Sequence, residues 1–313
     1  MPQGETAKRP YSLWYDAWMN RSKPQISRRH AVQALASFAL CSSALAEGSS
    51  KPREASPWLT LPPTPELPRP DKSGIAEVNG TKLFYAEFGQ GNPVLLLHGG
   101  MGNSNYFGYQ IAALARDYRV VAIDTRGHGR SPVTSGTMSY DLLADDAVAL
   151  MQSLALPPAA IVGWSDGAVT GLLLAMRRPE HVARLFAFGA NVSLDGMKAG
   201  GGRTPVFAAY SSRCKAEYPT LSPSPDKWPK LLDGLRGMWR SELHITRRKL
   251  SAIKCPTTIC EGQYDEIIRP EHAQEIARAI PGGRFVMLPD VSHFAMLQNP
   301  QQFNRALLDF LAA

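Results

Sequence analysis

Cysteine is scarce in this sequence, and its spacing excludes several kinds of site. The four cysteines among 313 residues are Cys41, Cys214, Cys255 and Cys260. Cys255 and Cys260 lie on one apolar run, and a strand that rises about 3.3 Å per residue separates them too far for a disulfide. No CxxC or HExxH spacing occurs either. We therefore expect no disulfide framework, no metal site and no cofactor.

The sequence also lacks an evenly spread positive charge. Its formal net charge is +7, but the six basic and two acidic residues between positions 1 and 46 supply +4 of it, which leaves +3 for the rest of the chain. No basic stripe with interleaved aromatic residues is present, although nucleic-acid binding favours that pattern. We expect no nucleic-acid partner.

No N-terminal apolar run is long enough to span a bilayer, which takes about 20 residues. Arg28 and Arg29 precede an uncharged stretch at 31–46 that ends in Ala-Leu-Ala. A basic segment, a mildly apolar stretch and small terminal residues are the parts of a cleavable signal, and paired arginines favour the twin-arginine route. We expect residues 1–46 to be removed on export by the twin-arginine translocase, which leaves a periplasmic chain without a stable membrane anchor. A disordered tail or a short amphipathic helix is the alternative.

A proline-rich stretch at 47–72 follows this segment. Its seven prolines prevent a helix or a sheet from propagating, so we interpret it as a linker that spaces the signal from a domain at 73–313.

Short apolar runs alternate with helical patterns in this domain. The run 82–88 alternates with period two and predicts an antiparallel strand. Continuous apolar runs, typical of central strands, occur at 94–97, 120–123, 160–162, 185–188, 257–260 and 285–288. Helical patterns occur at 139–154, with Ser139 as a cap, and after Asn299 and Pro300. The alternation predicts a mostly parallel sheet with helices on both faces.

Residues 191–250 interrupt this alternation because they contain no clear apolar strand. A long insertion between two strands is usually functional, and we interpret this one as a small helical cap over the carboxyl edge of the sheet. Its aromatic residues are expected to line an apolar substrate pocket. The candidates are Phe207, Tyr210, Trp228 and Trp239.

Ser165 is the candidate nucleophile. It is the centre of GWSDG at 163–167, between the run 160–162 and a helical pattern that begins near Ala168. This is G-x-S-x-G in a strand–turn–helix context, where the tight turn requires glycine and projects the serine hydroxyl above the sheet.

The serine needs a base and the base needs a carboxylate. His293 lies after the late run 285–288, a position that no other histidine shares. The other histidines are His30, His98, His128, His181, His244 and His272. Asp265 follows the run 257–260 and is the first choice for the acid. Glu266 is adjacent, and we expect its side chain to point elsewhere.

An oxyanion intermediate requires preorganised N–H donors. One expected donor is the backbone N–H of Asp166. The second should come from the loop HGGMG at 98–102, where we favour Gly100 and keep Met101 as the alternative.

Four motifs together resemble the α/β-hydrolase superfamily over almost all of residues 75–313. They are HGG at 98–100, DxRGxGxS at 124–131, GWSDG at 163–167 and SHF at 292–294. Within the superfamily the sequence is similar to the valacyclovir hydrolase-like esterases. The resemblance implies the α/β-hydrolase fold and a triad in the chain order Ser165, Asp265, His293.

The same resemblance bears on Asp166, because in those esterases the acid after the nucleophile helps to receive a substrate ammonium group. Asp166 occupies that position, although Ala168 replaces the second glycine of the related GWSDGG pattern. A carboxylate also favours a helix N-terminus on its own, so both roles stay open.

The predicted function is hydrolysis of a small-molecule carboxylic ester through an acyl-enzyme. Lactonase, carbon–carbon bond hydrolase and perhydrolase activities use the same triad and stay open. A serine nucleophile argues against haloalkane dehalogenases and epoxide hydrolases, which use aspartate. A non-catalytic binding protein on this fold is the alternative from a different class, and turnover of p-nitrophenyl butyrate separates the two.

Overall fold

The sheet lies in the part of the chain that the computed structural model describes, residues 56–240, 243 and 245–313. Its strands are β1 (Lys72–Val78), β2 (Thr81–Phe88), β3 (Asn92–Leu97), β4 (Tyr118–Asp124), β5 (Ala159–Trp164), β6 (Val182–Phe188), β7 (Thr257–Gly262) and β8 (Arg284–Leu288). They form one sheet in the order β1-β2-β4-β3-β5-β6-β7-β8. The predicted signal at 1–46, the first part of the predicted linker and His244 lie outside the described residues.

The centre of the sheet is parallel and buried. β3 pairs in parallel with β4 and β5, and parallel pairing continues through β6 and β7 to β8. All residues of β5 and β7 are buried, as expected for central strands of a parallel sheet that is covered on both faces. β1 and β2 add an antiparallel edge, as the period-two pattern of 82–88 indicates.

Helices cover the sheet. They are α1 (Gly108–Leu114), α2 (Tyr140–Ser153), α3 (Asp166–Arg177), α4 (Pro205–Leu221), α5 (Trp228–Arg240), α6 (Arg247–Leu250), α7 (Pro270–Ala279), α8 (Ala295–Gln298) and α9 (Pro300–Ala312). The side chain of Ser139 caps α2 by accepting from Leu142 N at 3.2 Å, and that of Asn299 caps α9 by accepting from Gln302 N at 3.1 Å. The predicted mostly parallel α/β architecture is confirmed.

The insertion between β6 and β7 is mainly helical, since it contains α4, α5 and α6. α4 begins with Thr204 as a side-chain cap and Pro205 at its first position, which is the arrangement that starts a helix well. Among the described residues no helix combines the length and the apolar character needed to cross a lipid bilayer.

Residues 56–71, which we call the N-terminal strap, belong to the same compact unit as the sheet. The ring of Trp58 stacks on Tyr264 with 4.0 Å between centroids. Arg213 of α4 donates to the carbonyl oxygens of Pro62 and Leu61 at 2.5 and 2.8 Å. The sequence predicted a spacer here. Apart from a 3-10 helix at Pro57–Leu59, this half of the stretch forms no helix or strand of its own. Its backbone carbonyls accept hydrogen bonds from the domain, so it packs against the domain.

Candidate active site

Ser165 joins β5 to α3 through a turn in which its own backbone is strained. Its φ is 54° and its ψ is −118°, a region that non-glycine residues avoid at a cost of order 1–3 kcal/mol. A Cβ on Gly163 would overlap the carbonyl oxygen of Gly167, and one on Gly167 would overlap that of Leu97. The turn therefore requires both glycines, and it holds Ser165 at the N-terminus of α3, where the helix dipole favours negative charge.

His293 and Asp265 follow the neighbouring strands β8 and β7, and their side chains meet. Nδ1 of His293 lies 2.6 Å from Oδ2 of Asp265, and both side chains are buried. The other oxygen of Asp265 accepts from the backbone N–H groups of Ile267 and Ile268 at 2.6 and 2.7 Å. The carboxylate is thus fixed by three donors, and it holds the proton of His293 on Nδ1, which leaves Nε2 as the basic nitrogen.

Ser165 and His293 both lie beside the end of β6. The backbone N–H of Ser165 donates to the carbonyl oxygen of Phe188 at 2.9 Å. The next residue is Gly189, with φ of 64°, where a Cβ would lie 2.7 Å from Cε1 of His293. Nε1 of Trp164, directly before Ser165, donates to the carbonyl oxygen of His293 at 2.9 Å. The structure therefore brings the three predicted triad residues to one edge of the sheet.

The charges around His293 favour its protonated form. Burial alone lowers the pKa of His293, but the charge of Asp265 and its hydrogen bond outweigh burial, with smaller contributions from Glu266 and Asp166, so the pKa lies above its usual value. Burial raises the pKa of Asp265. The charge of His293 and its hydrogen bond lower this pKa by more than burial raises it, so the pKa lies below its usual value. Asp265 is therefore ionised at neutral pH.

Glu266 is closer to the site than the sequence suggested. Its Oε2 accepts from the backbone N–H of His293 at 3.2 Å. Burial raises the pKa of Glu266, and the charge of Asp265 raises it further. The expectation that this side chain points elsewhere is wrong. Alternation along an extended chain suggested the opposite direction, but Asp265 and Glu266 lie in a turn after β7, where alternation does not apply.

His98 holds the loop after β3. The backbone N–H of Thr125 donates to Nε2 of His98 at 3.0 Å, so that nitrogen carries no proton in the neutral ring. Nδ1 then donates to the carbonyl oxygen of Gly99 at 2.8 Å, and burial lowers the pKa of His98. The same carbonyl accepts from Gly102 N at 3.1 Å. Because a trans peptide is planar, fixing this oxygen also fixes the direction of the N–H of Gly100 on its other side.

The next peptide in this loop is held by the cap. The hydroxyl of Tyr210 on α4 donates to the carbonyl oxygen of Gly100 at 2.7 Å. Met101 is buried and has φ of 68°. A Cβ on Gly100 would overlap Oδ2 of Asp166 and would lie 2.7 Å from Cζ2 of Trp239. At position 100 only glycine leaves room for these neighbours. The assignment of Gly100 rather than Met101 as the oxyanion donor stays a prediction.

Asp166 has a side chain that two donors hold in place. Its Oδ1 accepts from the hydroxyl of Tyr140 at 2.7 Å, and Nε1 of Trp239 lies 2.8 Å from Oδ2 and 3.0 Å from Oδ1. Burial raises the pKa of Asp166, whereas the hydrogen bonds from Tyr140 and Trp239 and the charge of His293 lower it in part. The carboxylate thus joins α3 to the start of α2 and to the cap helix α5.

The predicted pocket residues differ in where they lie. Trp239 contacts Asp166, as above. The rings of Tyr210 and Phe207 lie 4.9 and 6.5 Å from that of Phe294, which follows His293. The ring of Trp228 instead packs against Tyr218 at 5.5 Å, which is a contact within the cap. No three His, Cys, Asp or Glu side chains are grouped so that they could hold a metal ion within the ranges described.

Two residues that contact the site, Tyr140 and Lys198, lie in no sequence motif that could have identified them. Tyr140 is the first residue of α2, and Lys198 donates from Nζ to the backbone carbonyl of Asp265 at 2.6 Å. Both contacts join segments far apart in the chain, and a single sequence gives no signal for such pairs.

Comparison with known proteins agrees with this fold. A family model described as the alpha/beta hydrolase family matches residues 94–306. The human serine hydrolase BPHL is 31% identical over 259 residues, which cover 76% of this chain and 86% of that protein. The putative carbamate hydrolase RutD of Pseudomonas savastanoi pv. phaseolicola is 28% identical, over 71% of this chain and 94% of that protein.

A solved structure gives the same result. The enol-lactonase from Burkholderia xenovorans LB400 superposes with a TM-score of 0.62 at 26% identity, covering 77% of this chain and all of that chain. The names of these relatives include a serine hydrolase, a putative carbamate hydrolase and an enol-lactonase. The chain therefore belongs to the alpha/beta hydrolase family and is a hydrolase by membership of that family.

Proposed function

We propose that this protein hydrolyses small-molecule carboxylic esters through an acyl-enzyme, with Ser165 as nucleophile, His293 as base and Asp265 as the acid of the triad. The observation that carries the proposal is the 2.6 Å contact of His293 Nδ1 with Asp265 at the sheet edge where Ser165 occupies its strained turn. A serine held in this way beside a base oriented by a carboxylate is the arrangement that nucleophilic catalysis requires.

The first half-reaction follows from this arrangement. Oγ of Ser165 attacks the carbonyl carbon of the ester while Nε2 of His293 takes the hydroxyl proton. The negative oxygen of the tetrahedral intermediate accepts from the N–H of Asp166 and of Gly100. When the bond to the alcohol oxygen breaks, the imidazolium returns the proton to that oxygen and the free alcohol leaves.

The second half-reaction repeats these steps with water. His293 takes a proton from water as its oxygen attacks the acyl carbon, and the proton then passes to Oγ of Ser165 as the carboxylic acid leaves. Asp265 stays ionised throughout, since it accepts three hydrogen bonds and its pKa is lowered. Its role is to stabilise the imidazolium that forms in both halves.

The choice of an ester rests on the apolar aromatic side chains of the cap, because an acyl or alcohol chain can pack against them. Lactones are cyclic esters, and the geometry suits them as well. Asp166 is already held by Tyr140 and Trp239, but its carboxylate can still attract a cationic substrate. The assay therefore uses p-nitrophenyl esters of increasing acyl length, lactones and amino-acid esters.

Three variants test the assignment of roles. Ser165→Ala should fold with an unchanged Tm and lose p-nitrophenyl butyrate hydrolysis by several orders of magnitude, because triad residues act as a unit. Asp265→Asn should fall by about 10⁴-fold. Glu266→Gln is the matched change at the adjacent carboxyl and should be the milder variant.

The opposite results are equally informative. If Ser165→Ala keeps more than about a tenth of the activity, Ser165 is not the nucleophile. If Glu266→Gln is worse than Asp265→Asn, the acid is wrongly assigned. If the wild-type protein turns over none of these substrates, the non-catalytic alternative is favoured.

A further inference from the structure

The side chain of Glu261 is a buried carboxyl group that has no role in the mechanism proposed above. Glu261 lies on β7 directly before Gly262 and is fully buried. Its Oε1 accepts from the backbone N–H of Gly262 at 3.1 Å. Its Oε2 is buried and has no hydrogen-bond donor among the described residues. A buried carboxylate oxygen without a donor costs free energy, so this oxygen requires an explanation.

Asp265, four residues further along, supplies one. Glu261 lies on the buried strand β7, and the interaction between its side chain and that of Asp265 raises the pKa of Glu261 and lowers that of Asp265. Two ionised carboxylates offer only acceptors, so this interaction is a hydrogen bond only when one of the groups carries a proton. Asp265 already accepts from His293, Ile267 and Ile268. The proton therefore belongs on Glu261, as its Oε2 is the oxygen without a donor.

The charges around Glu261 agree with this assignment. Asp265 and Glu266 are the buried carboxyls nearby, and His293 is the cation that forms beside them. Lys198 faces the same group, but its ammonium donates to the backbone carbonyl of Asp265. Cys260, the neighbour of Glu261 on β7, is buried and its thiol pKa is raised, so it adds no charge. Three carboxylates this close together in a buried cluster do not all ionise.

We propose that Glu261 is a positioning residue that stays protonated and donates a hydrogen bond to the carboxylate of Asp265, which it holds in place against His293. This inference rests on the proposed function of the triad. The residue touches no substrate, and it acts through Asp265 alone.

The direction in which the pKa of Glu261 is shifted agrees with the unpartnered buried oxygen. Burial raises this pKa well above the usual range, and the charge of Asp265 and the interaction with its side chain raise it further. The charge of Lys198 is the weakest influence and acts in the opposite direction. A carboxylic acid kept neutral at pH 7 can serve as a hydrogen-bond donor.

Two variants separate a protonated Glu261 from an ionised one. Glu261→Met removes the donor and keeps an unbranched side chain, so kcat/KM should fall by about tenfold or more, as expected for a lost hydrogen bond to a charged group. The charge of Asp265 is then less dispersed and attracts the imidazolium of His293 more strongly. The acid limb of kcat/KM, which reports the free enzyme, should move to higher pH.

Glu261→Gln should rescue both effects, because its amide is neutral and can donate like the protonated acid. Its kcat/KM and acid limb should lie much closer to those of the wild type than to those of Glu261→Met. Were Glu261 ionised, both variants would remove a negative charge near His293, and both acid limbs would move to lower pH. That result overturns the proposal.

Glu87 provides a matched control, because it lies on β2, near the opposite end of the strand order from β7. Glu87 is also buried, but Arg119 pairs with it at 2.6 Å. Glu87→Gln should lower Tm without moving the acid limb. If its acid limb moves as much as that of Glu261→Met, the shift reports general destabilisation and the proposal fails.

Infrared spectroscopy tests the proton without any turnover. At neutral pH, the difference between the wild type and Glu261→Gln should contain a carbonyl band of a protonated carboxylic acid. Carboxylate bands in that difference would overturn the proposal even in a fully active esterase. The acid band in a protein that hydrolyses no ester would instead contradict the proposed function and leave Glu261 protonated, so the two failures are distinguishable.

Discussion

Three carboxyl groups act on the imidazole of His293, and they set the pH at which it can accept a proton. Asp265 is the strongest, followed by Glu266 and Asp166, and together they overcome the effect of burial and raise the pKa of His293. In the proposed mechanism His293 must be neutral to take the proton of Ser165. Activity is therefore lost as pH falls through the raised pKa.

We predict that kcat/KM for p-nitrophenyl butyrate rises with pH and that the midpoint of its acid limb lies above about 6.5, the ordinary value for histidine. A pH–rate profile between about pH 5 and pH 9 at constant ionic strength measures it. A midpoint below that of free histidine would mean that burial outweighs the carboxyl charges, contrary to the contacts of His293.

The hydroxyl of Tyr210 is predicted to hold the loop at 98–102, which we call the oxyanion loop. Tyr210→Phe keeps the ring but removes the hydrogen bond to the carbonyl oxygen of Gly100. The loop is then less well fixed, and an oxyanion donor matters more in the transition state than in the ground state. We expect kcat to fall by about tenfold with little change in KM, less than the loss of a donor itself.

Steady-state kinetics beside Tyr218→Phe measure this effect. Tyr218 is buried on the same helix, but its ring packs against Trp228 rather than against the oxyanion loop. If the two variants lose the same activity, the effect comes from the packing of α4 and not from the hydrogen bond.

The residues that were predictable from the sequence are those whose chemistry requires local spacing. The position of Ser165 in a tight turn could be predicted because the turn excludes side chains at Gly163 and Gly167. The positions of His293 and Asp265 could be predicted because each follows a late strand, and the catalytic roles of all three stay a proposal. Tyr140, Glu261 and Glu266 could not, since their roles depend on contacts between side chains that only the folded chain brings together.

The same division appears at the scale of helices and strands. A buried central strand such as β5 could be predicted because a short apolar run between turn residues is typical of such strands. β1 was missed, since it is an antiparallel edge strand with no fully buried position and with only small or isolated apolar residues. The boundary of α3 differs from the predicted start near Ala168, because the helix begins with Asp166, directly after the strained Ser165.

Within the cap, α5 offers a test with two tryptophans on one helix. Trp239 contacts Asp166, whereas Trp228 packs inside the cap against Tyr218. Trp239→Ala should therefore change the ratio of kcat/KM between long and short acyl esters by roughly tenfold, from about 1–3 kcal/mol of differential binding. Trp228→Ala should leave this ratio unchanged and lower Tm, because it removes only buried packing.

Both ratios come from one series of p-nitrophenyl esters, with Tm measured for each variant. An unchanged chain-length profile in folded Trp239→Ala would mean that α5 does not form a wall of the pocket. A changed profile in Trp228→Ala would mean that the cap shapes the pocket as a whole.

At the scale of the whole molecule, the folded unit begins at Ser56, with the N-terminal strap packed against α4 and Tyr264. Removal of residues 1–46 would leave nine residues, 47–55, before this unit. Cys214, Cys255 and Cys260 are free thiols, and Cys214 and Cys260 are buried.

These features suit the twin-arginine route, which moves folded protein, and we propose that the chain uses it. In a bacterial host with this translocase, mature protein in the periplasm should begin at Glu47, after Ala46, as N-terminal sequencing would show. Replacing Arg28 and Arg29 together by lysine should trap the precursor in the cytoplasm, because the route depends on the arginine pair and not on charge alone. Arg21→Lys is the matched control and should be exported. An intact N-terminus on periplasmic protein would contradict the cleavage, and normal export of the double variant would contradict the route.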